Sequence, residues 1–352
     1  MSVRLTAPAV PNPSAHSGAA QARRRRRMRL MQNRALGVAL FLVLLCVFFA
    51  ALNPNFASVG NLNTIALNAA ILVVVACAEA MVVITRNYDL SVGSTVALAS
   101  YVGLDVIRIC PHAGPILILV PVALGALCGV VNGALVAYGR LPSVVATLGT
   151  MSIFRGLAFL YANGGQINGK DLPAWVAGTA TSHVFGLSVL ILVACAVVAL
   201  ASFMLGKLRI GRKIYAIGSN PEAAVSYGLD ARAVVFKAYV MAGLLTGLAA
   251  YLFAARASWI VPYLAQGLEL TALAAVVIGG VSVLGGSGTM LGAALGALTL
   301  ATLDNGLVLL GASEFTRQFI QGAAIVIAVV IDAIVQRRLQ DLLKTMRSRR
   351  PA

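Results

Sequence analysis

Charged residues are scarce in this chain of 352 residues: they make up 11% of it, against 60% hydrophobic residues and a mean hydropathy of +0.91. A soluble globular domain has about a quarter of its residues charged. So few charges cannot cover a surface in water, and lipid is therefore the predicted main solvent. The formal net charge of +16 does not indicate nucleic-acid binding, because the basic residues stand in clusters between apolar blocks.

Motifs for catalysis, ATP binding and metal binding are also missing. Gly169-Lys170-Asp171 and Gly206-Lys207-Leu208 both lack the Ser or Thr that ends a phosphate-cradling loop. No Ser-His-Asp, HExxH or paired-carboxylate pattern stands out, so the chain is predicted to be neither an enzyme nor a cofactor-binding protein. The cysteines lie in or beside apolar segments without a CxxC pair, which predicts no disulfide and no metal site: Cys46, Cys77, Cys110, Cys128 and Cys195.

Long apolar runs fill most of the chain, and each can form a tilted helix that spans a bilayer. We predict an all-α, polytopic membrane helix bundle of about ten transmembrane helices, since backbone amides in lipid must bond within their own segment. Residues 1–34 are predicted to be a disordered basic cytoplasmic tail, 35–336 the transmembrane domain and 337–352 a basic cytoplasmic tail. The predicted spans are 35–52, 64–84, 90–107, 115–138, 143–163, 185–206, 236–256, 265–284, 288–310 and 317–336.

The distribution of basic residues predicts the orientation. With both termini in the cytoplasm, most Lys and Arg fall on the cytoplasmic side, as the positive-inside rule requires. The outer loops then carry Arg108, Lys170, Arg256 and Arg317. We therefore expect a multi-pass membrane protein whose N- and C-termini are both cytoplasmic.

Two segments interrupt the apolar pattern. After Thr85 a hydrophobic helix gives way to polar residues and a new helix of small residues follows, which Asp89 or Ser91 could cap. This break predicts either an interrupted helix near a translocation pathway or only a capped hairpin. Gly279–Thr289 contains five glycines, which weaken a helix and allow close backbone contact. Residues 89–95 and 283–289 each precede a span of small residues, which indicates a possible internal repeat.

The longest predicted cytoplasmic loop, 207–235, carries the signals of a short helix outside the membrane. Asn220 suits the N-cap and Pro221 the first helical position. Glu222 suits the positive end of the helix dipole, and Gly228 suits the left-handed exit. A surface helix without function would have the same signals, but a mere connector would not need them.

These three segments, in this order, resemble the ribose/xylose/galactose-type permeases of bacterial ABC importers. Ile84–Ser94 matches the family's Ile-Thr-Gly-Gly-x-Asp-Leu-Ser-Val-Gly-Ser, and Gly211–Ala224 matches its Gly-Arg-x-x-Tyr-Ala-x-Gly-x-Asn-x-x-Ala-Ala. Ile278–Thr289 matches its Ile-Gly-Gly-x-Ser-x-x-Gly-Gly-x-Gly-Thr. Arg86-Asn87 replaces the usual Gly-Gly, a variant that resembles the branch handling rhamnose or the autoinducer-2 signal.

The resemblance implies a permease subunit of the bacterial inner (plasma) membrane that imports a monosaccharide or sugar-like molecule of the rhamnose, autoinducer-2 or pentose class. It also implies an ABC ATPase subunit that binds the ATP, a second permease protomer in a homo- or heterodimer, and a periplasmic sugar-binding protein. The helix at 220–228 would then couple the ATPase to this subunit, with Ala223 and Ala224 against the partner. An ion-coupled secondary sugar transporter and a passive channel are the alternatives, and neither gives this helix a role.

Polar side chains within the spans are candidates to line the pathway, because they are costly in lipid. Each could instead satisfy a hydrogen bond between helices. Asn68, Arg155 and Asp304 are candidates for interior-facing positions. The residues predicted to include pathway residues are Glu79, Asn87, Asp89, Asn132, Glu269 and Asn305.

Overall fold

The computed structural model of the protein describes residues 34–257 and 259–327, together with residues 330 and 334. The predicted all-α membrane bundle is confirmed: within these residues, eight helices are long and apolar enough to cross a membrane. Apart from Arg34, the two predicted tails lie outside the described residues.

The helices and strands follow one another in a simple order. Residues 134–138 extend α4 by a π-helical turn, and short 3₁₀ helices occur at Pro54–Ala57, Pro111–Ile118 and Gly169–Asp171. The strands are β1 Ile167–Asn168, β2 His183–Val184, β3 Leu187–Ser188 and β4 Trp259–Ile260. The helices are α1 Arg34–Leu52, α2 Val59–Ile84, α3 Val92–Ile109, α4 Leu119–Gly133, α5 Ser143–Ala162, α6 Ala174–Thr181, α7 Val189–Lys207, α8 Arg209–Ser219, α9 Pro221–Ser226, α10 Ala231–Arg256, α11 Leu268–Ile278 and α12 Met290–Leu309.

Helix α2 forms the centre of the bundle. Every residue from Ala69 to Ile84 is buried, as expected for a helix that is apolar on all sides. It packs against α7, α10, α11 and α12. Helix α1 lies at the periphery and exposes Leu40, Phe41 and Val47, which suits a surface that faces lipid.

Glycines bring two pairs of helices into backbone contact. Between α4 and α10, a Cβ added to Gly125 would lie 2.5 Å from the amide nitrogen of Gly247, and one added to Gly129 would overlap the carbonyl oxygen of Tyr239. Between α11 and α12, a Cβ on Gly296 would overlap the carbonyl oxygen of Ala275. Small residues at such spacing allow membrane helices to pack closely.

The two short sheets lie in connections between helices. Strands β1 and β4 pair antiparallel, with Ile167 opposite Ile260, and so join the connection after α5 to the connection after α10. Strands β2 and β3 form a hairpin. Its turn residues, Phe185 and Gly186, both have positive φ, as a two-residue hairpin turn of the I′ type requires.

One predicted span is wrong and one is described only in part. In place of a helix over 265–284 the chain forms α11, which is 11 residues long, followed by an irregular segment at 279–289. The apolar residues of that stretch suggested a span, but Gly280, Gly285 and Gly286 have positive φ, which a helix does not accommodate. Residues 314–327 are helical, and the rest of the predicted span 317–336 lies mostly outside the described residues. Helices α1–α5, α7, α10 and α12 correspond to the other predicted spans.

Candidate functional site

The polar break after α2 folds back along that helix. Glu79 lies about 7.5 Å along the axis before the last residue of α2, yet its Oε1 accepts a hydrogen bond from the amide of Asp89 at 3.2 Å. The amide of Leu90 donates to Thr147 Oγ1 of α5 at 3.1 Å. Residues 86–91 therefore run back into the bundle, and α3 begins inside it.

Asp89 is the centre of a buried polar cluster that ties the break to α4 and α5. Its Oδ1 accepts hydrogen bonds from the amide of Ser91 at 3.0 Å and from the Ser91 hydroxyl at 2.7 Å. Asn132 Nδ2 of α4 donates to Asp89 Oδ1 at 3.1 Å and to Ser91 Oγ at 2.7 Å. The carbonyl oxygen of Asn132 accepts from Thr150 Oγ1 of α5 at 2.6 Å. All four side chains are buried.

The prediction that Asp89 or Ser91 caps α3 is wrong. Ser91 is the N-cap residue, but its side chain accepts no hydrogen bond from a helix amide. Asp89 accepts the amide of Ser91 itself, which lies before the helix. The reason is that the cluster uses these side chains: the Ser91 hydroxyl donates to Asp89 and accepts from Asn132. The first turn of α3 therefore begins without a side-chain cap.

Glu79 belongs to the same cluster and is only partly satisfied. It is 1% exposed, and its Oε2 has no hydrogen-bond partner among the described residues. None of the ion pairs between described residues involves Glu79 or Asp89. Two buried carboxyl groups without a basic partner are costly, which favours a functional reason for their presence. The described residues hold no group of three His, Cys, Asp or Glu that could bind a metal ion.

The first turns of α3 and α11 meet beside this cluster. A Cβ added to Gly93 would overlap Glu269 Oε2 and would lie 2.6 Å from the carbonyl oxygen of Ala265. Helix α11 also lacks a side-chain cap, because its N-cap residue is Gly267. Two helix N-termini, each with a partial positive charge, thus face one region inside the bundle. Interrupted helices of this kind form substrate and ion sites in membrane transporters.

Arg155 of α5 holds the connection that precedes α11. Its Nη1 donates to the carbonyl oxygens of Pro262 at 2.9 Å and Leu264 at 2.8 Å. Ser94 Oγ and Glu269 Oε2 are buried atoms without a hydrogen-bond partner in the described part of the chain. Arg155 therefore positions the start of α11, where polar atoms have spare capacity for hydrogen bonds.

The predicted pathway residues fall into separate groups. Glu79, Asp89 and Asn132 lie together, and Glu269 contacts the first turn of α3. Asn87 lies at the outer end of the break, where its Nδ2 donates to the carbonyl oxygen of Thr85 at 3.1 Å and to Thr85 Oγ1 at 3.0 Å. Asn305 is buried on α12, and no hydrogen bond between described residues connects it to the cluster. The structure therefore brings together three of the six residues and places a fourth nearby.

Sequence reasoning missed the side chains that α5 contributes. Ser143 Oγ accepts the amide of Tyr88 at 3.2 Å, Thr147 accepts that of Leu90, and Thr150 bonds Asn132. These three residues are spaced by four and three positions, so they share one face of the helix. A polar stripe along an otherwise apolar span was the signal that could have identified them.

A cavity of about 930 Å³ opens among α2, α11, α12 and the helical residues 314–327. Its wall includes the polar side chains of Asn68 and Gln266 and the first residues of α11. Asp304, also in the wall, accepts hydrogen bonds from Arg317 Nη1 at 2.8 Å and from Gln321 Nε2 at 3.0 Å. None of the six predicted pathway residues lines it. The volume is within the range of small-molecule pockets, about 300–1,000 Å³.

The predicted short helix outside the spans is present as α9. The Asn220 side chain accepts the amide of Ala223 at 3.0 Å, Pro221 is the first helical residue, and Gly228 has φ +80°. Ala224 was expected to face outward, against the partner. It is instead 5% exposed and packs in the main apolar core. The outward-facing apolar side chains are Val225, 55% exposed, and Tyr227 just after the helix, 89% exposed.

The glycine-rich segment 279–289 lies beside the polar break at the end of α2. The amide of Gly286 donates to the carbonyl oxygen of Ile84 at 2.9 Å. Tyr88 Oη donates to the carbonyl oxygen of Val283 at 2.7 Å. Residues 283–289, one of the two segments that suggested an internal repeat, are therefore hydrogen-bonded to the chain just before the other segment, residues 89–95. The repeat itself stays a prediction.

Comparison with known proteins shows similarity to transport permeases in both the family match and the individual relatives. Residues 61–329 match a family described as branched-chain amino acid transport system / permease component. The chain is 35% identical over 315 residues to the autoinducer 2 import system permease protein LsrC of Salmonella typhi, an alignment that covers 90% of each chain. It is 36% identical over 318 residues to the LsrC of Salmonella paratyphi B, with 90% of this chain and 91% of the relative aligned. No solved structure matches the chain significantly.

Proposed function

This chain belongs to the sugar ABC importer permease family, in the branch of the autoinducer 2 import permeases, and from that premise we propose its substrate and its source of energy. It imports a monosaccharide or sugar-like molecule of the autoinducer 2, rhamnose or pentose class. ATP hydrolysis on a separate ATPase subunit drives the import, and a periplasmic binding protein delivers the substrate. A second permease protomer completes the membrane part.

Helix α9 is the observation that carries the coupling part of the proposal. It is a capped helix whose Val225 and neighbouring Tyr227 are exposed, in a chain that lacks an ATP-binding loop. A short rigid helix that docks in a groove of the ATPase transmits a rigid-body movement, which a flexible loop would absorb. Glu222 is also exposed and supplies a charge that fixes the register of docking.

The pathway is proposed to begin at the cavity of about 930 Å³ and to continue past the first turns of α11 and α3. The amide and carboxyl groups of Asn68, Gln266 and Asp304 supply the donors and acceptors that sugar hydroxyl groups require. Beyond the start of α11, the cluster of Glu79, Asp89 and Asn132 is the next group of polar side chains. Asn87 lies nearest the end of α2, and Asn305 has no assigned step.

The proposed orientation places α8, α9 and the polar break on the cytoplasmic side and Lys170 and Arg317 on the periplasmic side. Both termini are then cytoplasmic. The positive-inside distribution of basic residues supports this orientation. Periplasmic labelling of a single cysteine introduced at Arg232 would contradict it, and labelling at Lys170 is the positive control.

Transport in proteoliposomes tests the proposal. The permease, its ATPase and the loaded binding protein are reconstituted, and uptake of labelled autoinducer 2, rhamnose and ribose is followed with and without internal ATP. We expect uptake of one of these compounds to require ATP and to stop with vanadate. Uptake that does not require ATP and is not inhibited by vanadate would contradict the assignment of ATP as the energy source.

An ion-coupled secondary sugar transporter is the second candidate, and the buried carboxyl groups of Glu79 and Asp89 favour it. Intramembrane carboxyl groups serve as proton relays in many pumps and transporters. The same proteoliposomes distinguish the two functions. Uptake driven by an imposed pH or sodium gradient in the absence of ATP would support ion coupling.

A further inference from the structure

Arg86 connects the coupling region to the buried polar cluster. We infer, on the basis of the coupling role proposed above for α9, that Arg86 is a positioning residue. It binds the junction of α8 and α9 and transmits the movement of that junction to the polar break that carries Asp89. Four features of Arg86 support this function: its hydrogen bonds, the helix end that they satisfy, its backbone conformation and its distance from Asp89.

The Arg86 side chain bonds the end of another helix. Its Nε donates to the carbonyl oxygen of Gly218 at 2.5 Å, and its Nη2 donates to that of Ser219 at 2.7 Å. These are the last two residues of α8, and Asn220, the N-cap of α9, follows directly. The guanidinium group therefore contacts the chain at the point where α8 ends and α9 begins.

Helix α8 needs such a partner. The last carbonyl groups of a helix have no partner within it, and its C-terminus carries a partial negative charge. The last turn of α8 contains no basic residue of its own. Arg86, which lies in the polar break, supplies two donors and a positive charge to the end of α8. The end of α8 is therefore capped by the polar break and not by a basic side chain of α8 itself.

The backbone of Arg86 is held in an unfavourable conformation. Its φ is +67°, in the left-handed region that residues with a Cβ rarely adopt. The neighbouring segment leaves little room: a Cβ added to Gly285 would overlap Arg86 Cγ. Strain of this kind persists where the surroundings hold it, and such positions are frequent at functional and switch sites. The amides of Arg86 and Asn87 donate to the carbonyl oxygens of Val83 and Val82 at 2.9 and 3.4 Å, which caps the end of α2 and holds Arg86 in this conformation. The two bonds to α8 then fix the direction of its side chain.

The tether from Arg86 to the cluster is short. Asp89 follows three residues later, which is about 10 Å of extended chain. Tyr88 between them is fixed at both ends, because Tyr239 Oη donates to its carbonyl oxygen at 2.8 Å and its own Oη donates to Val283. A displacement of the α8–α9 junction therefore reaches Asp89, and through it Asn132 and the start of α3, without a flexible loop to absorb it.

The test compares Arg86→Gly and Arg86→Met with Arg140→Gly in the complete transporter. Glycine removes the donors and also relieves the positive φ, whereas methionine removes the donors and keeps the strain and the aliphatic stem. Arg140 is the matched control: it is exposed, has φ +55° and lines the same surface depression as Arg86. No side-chain hydrogen bond of Arg140 occurs in the described part of the chain.

ATP hydrolysis by the reconstituted complex is measured with and without loaded binding protein. In both Arg86 variants we expect the stimulated rate to fall about tenfold, a typical size for the loss of coupling between two linked sites, while the unstimulated rate is unchanged. Arg140→Gly should keep the wild-type stimulation. If Arg86→Gly does not accumulate in the membrane, Arg86→Met decides.

Full stimulation in either Arg86 variant overturns the inference. An equal loss in the Arg140 variant also overturns it, because the effect would then belong to surface charge. A wild-type complex that shows no stimulation by the binding protein would contradict the proposed coupling function itself. Failure of the inference about Arg86 and failure of the proposed function therefore give different results.

Discussion

Two interruptions of the bundle meet at the end of α2, and they are held in place in opposite ways. Residues 86–91 are fixed by side chains: Arg86, Tyr88 and Asp89 each make hydrogen bonds to other elements. Residues 279–289 are fixed through their main chain, because glycines let it approach Ile84 and Ser219 directly. The first segment therefore depends on specific hydrogen bonds of side chains, and the second depends on close packing of its main chain.

The difference separates two kinds of sensitivity. A segment held by side chains loses its function when a donor becomes an acceptor, even if the volume is unchanged. A segment held by its backbone tolerates no added atom, whatever its polarity. The three predictions below test this contrast, from the largest expected effect to the smallest.

The largest effect is expected from Asn132→Asp, which keeps the shape of the side chain and replaces its Nδ2 donor with an acceptor oxygen. The new carboxyl group would face Asp89 without a donor, inside a buried cluster. We expect a loss of about 3–5 kcal/mol in stability, the cost of leaving a buried charge without a partner. The measurement is the thermal unfolding of the purified permease.

Asn168→Asp is the matched control, since Asn168 is exposed in β1. It should change the stability by less than about 0.5 kcal/mol. Equal unfolding temperatures for the two variants would show that residues 86–91 do not depend on the donors of Asn132.

The next effect is expected from Gly286→Ala, which adds one methyl group to the glycine-rich segment. Gly286 has φ +72°, and a Cβ would lie 2.6 Å from Ser219 Cα. Backbone strain and overpacking together should cost about 3 kcal/mol. Gly164→Ala has the same kind of strain, with φ +76° and no atom within 4 Å, and should cost about 1 kcal/mol.

The same unfolding assay compares these two alanine variants. If both lose the same stability, the positive φ accounts for the whole effect and the close approach to Ser219 is unimportant. A larger loss for Gly286→Ala supports the view that this segment is held by its shape.

The smallest effect is expected from Tyr88→Phe, which removes one hydrogen bond between the two segments. Its hydroxyl donates to Val283, so the loss should be about 1 kcal/mol. Tyr138→Phe should be neutral, because Tyr138 is exposed and has no hydroxyl hydrogen bond within the described residues. Combined with Gly286→Ala, Tyr88→Phe should show a non-additive effect, as expected for contacts that share neighbours. Full additivity would mean that the two segments are independent.

Local signals allowed α9 to be predicted from the sequence, but not the direction in which it faces. Asn220, Pro221 and Gly228 act on their own neighbours, so their spacing was sufficient. The burial of Ala224 depends on the rest of the bundle, and no local signal reports it. The span 265–284 failed for a related reason: hydropathy counts apolar residues, whereas Gly280 and Gly285 act through backbone conformation.

The candidate site was predicted in part for the same physical reason. Polar residues in apolar spans are visible in a sequence, which identified Glu79 and Asn132, and the polar break between two spans identified Asp89. Their meeting depends on the path of residues 86–91 back along α2, which no periodicity encodes. The capping role assigned to Asp89 was wrong because Asn132, distant in sequence, makes use of the same oxygens.

The glycine contact between α4 and α10 has a mechanical consequence. Gly125 and Gly129 of α4 pack against the backbone of α10 with no side chain between them, so neither helix can roll against the other without a steric collision. The two helices must then move together as one rigid unit. Any alternation between two shapes is displaced to boundaries where side chains can exchange rotamers, such as that between α3 and α5. Near that boundary the hydroxyl of Thr147, which accepts from Leu90 and donates to the carbonyl oxygen of Ser143, can change partners while the pair of α4 and α10 keeps its shape.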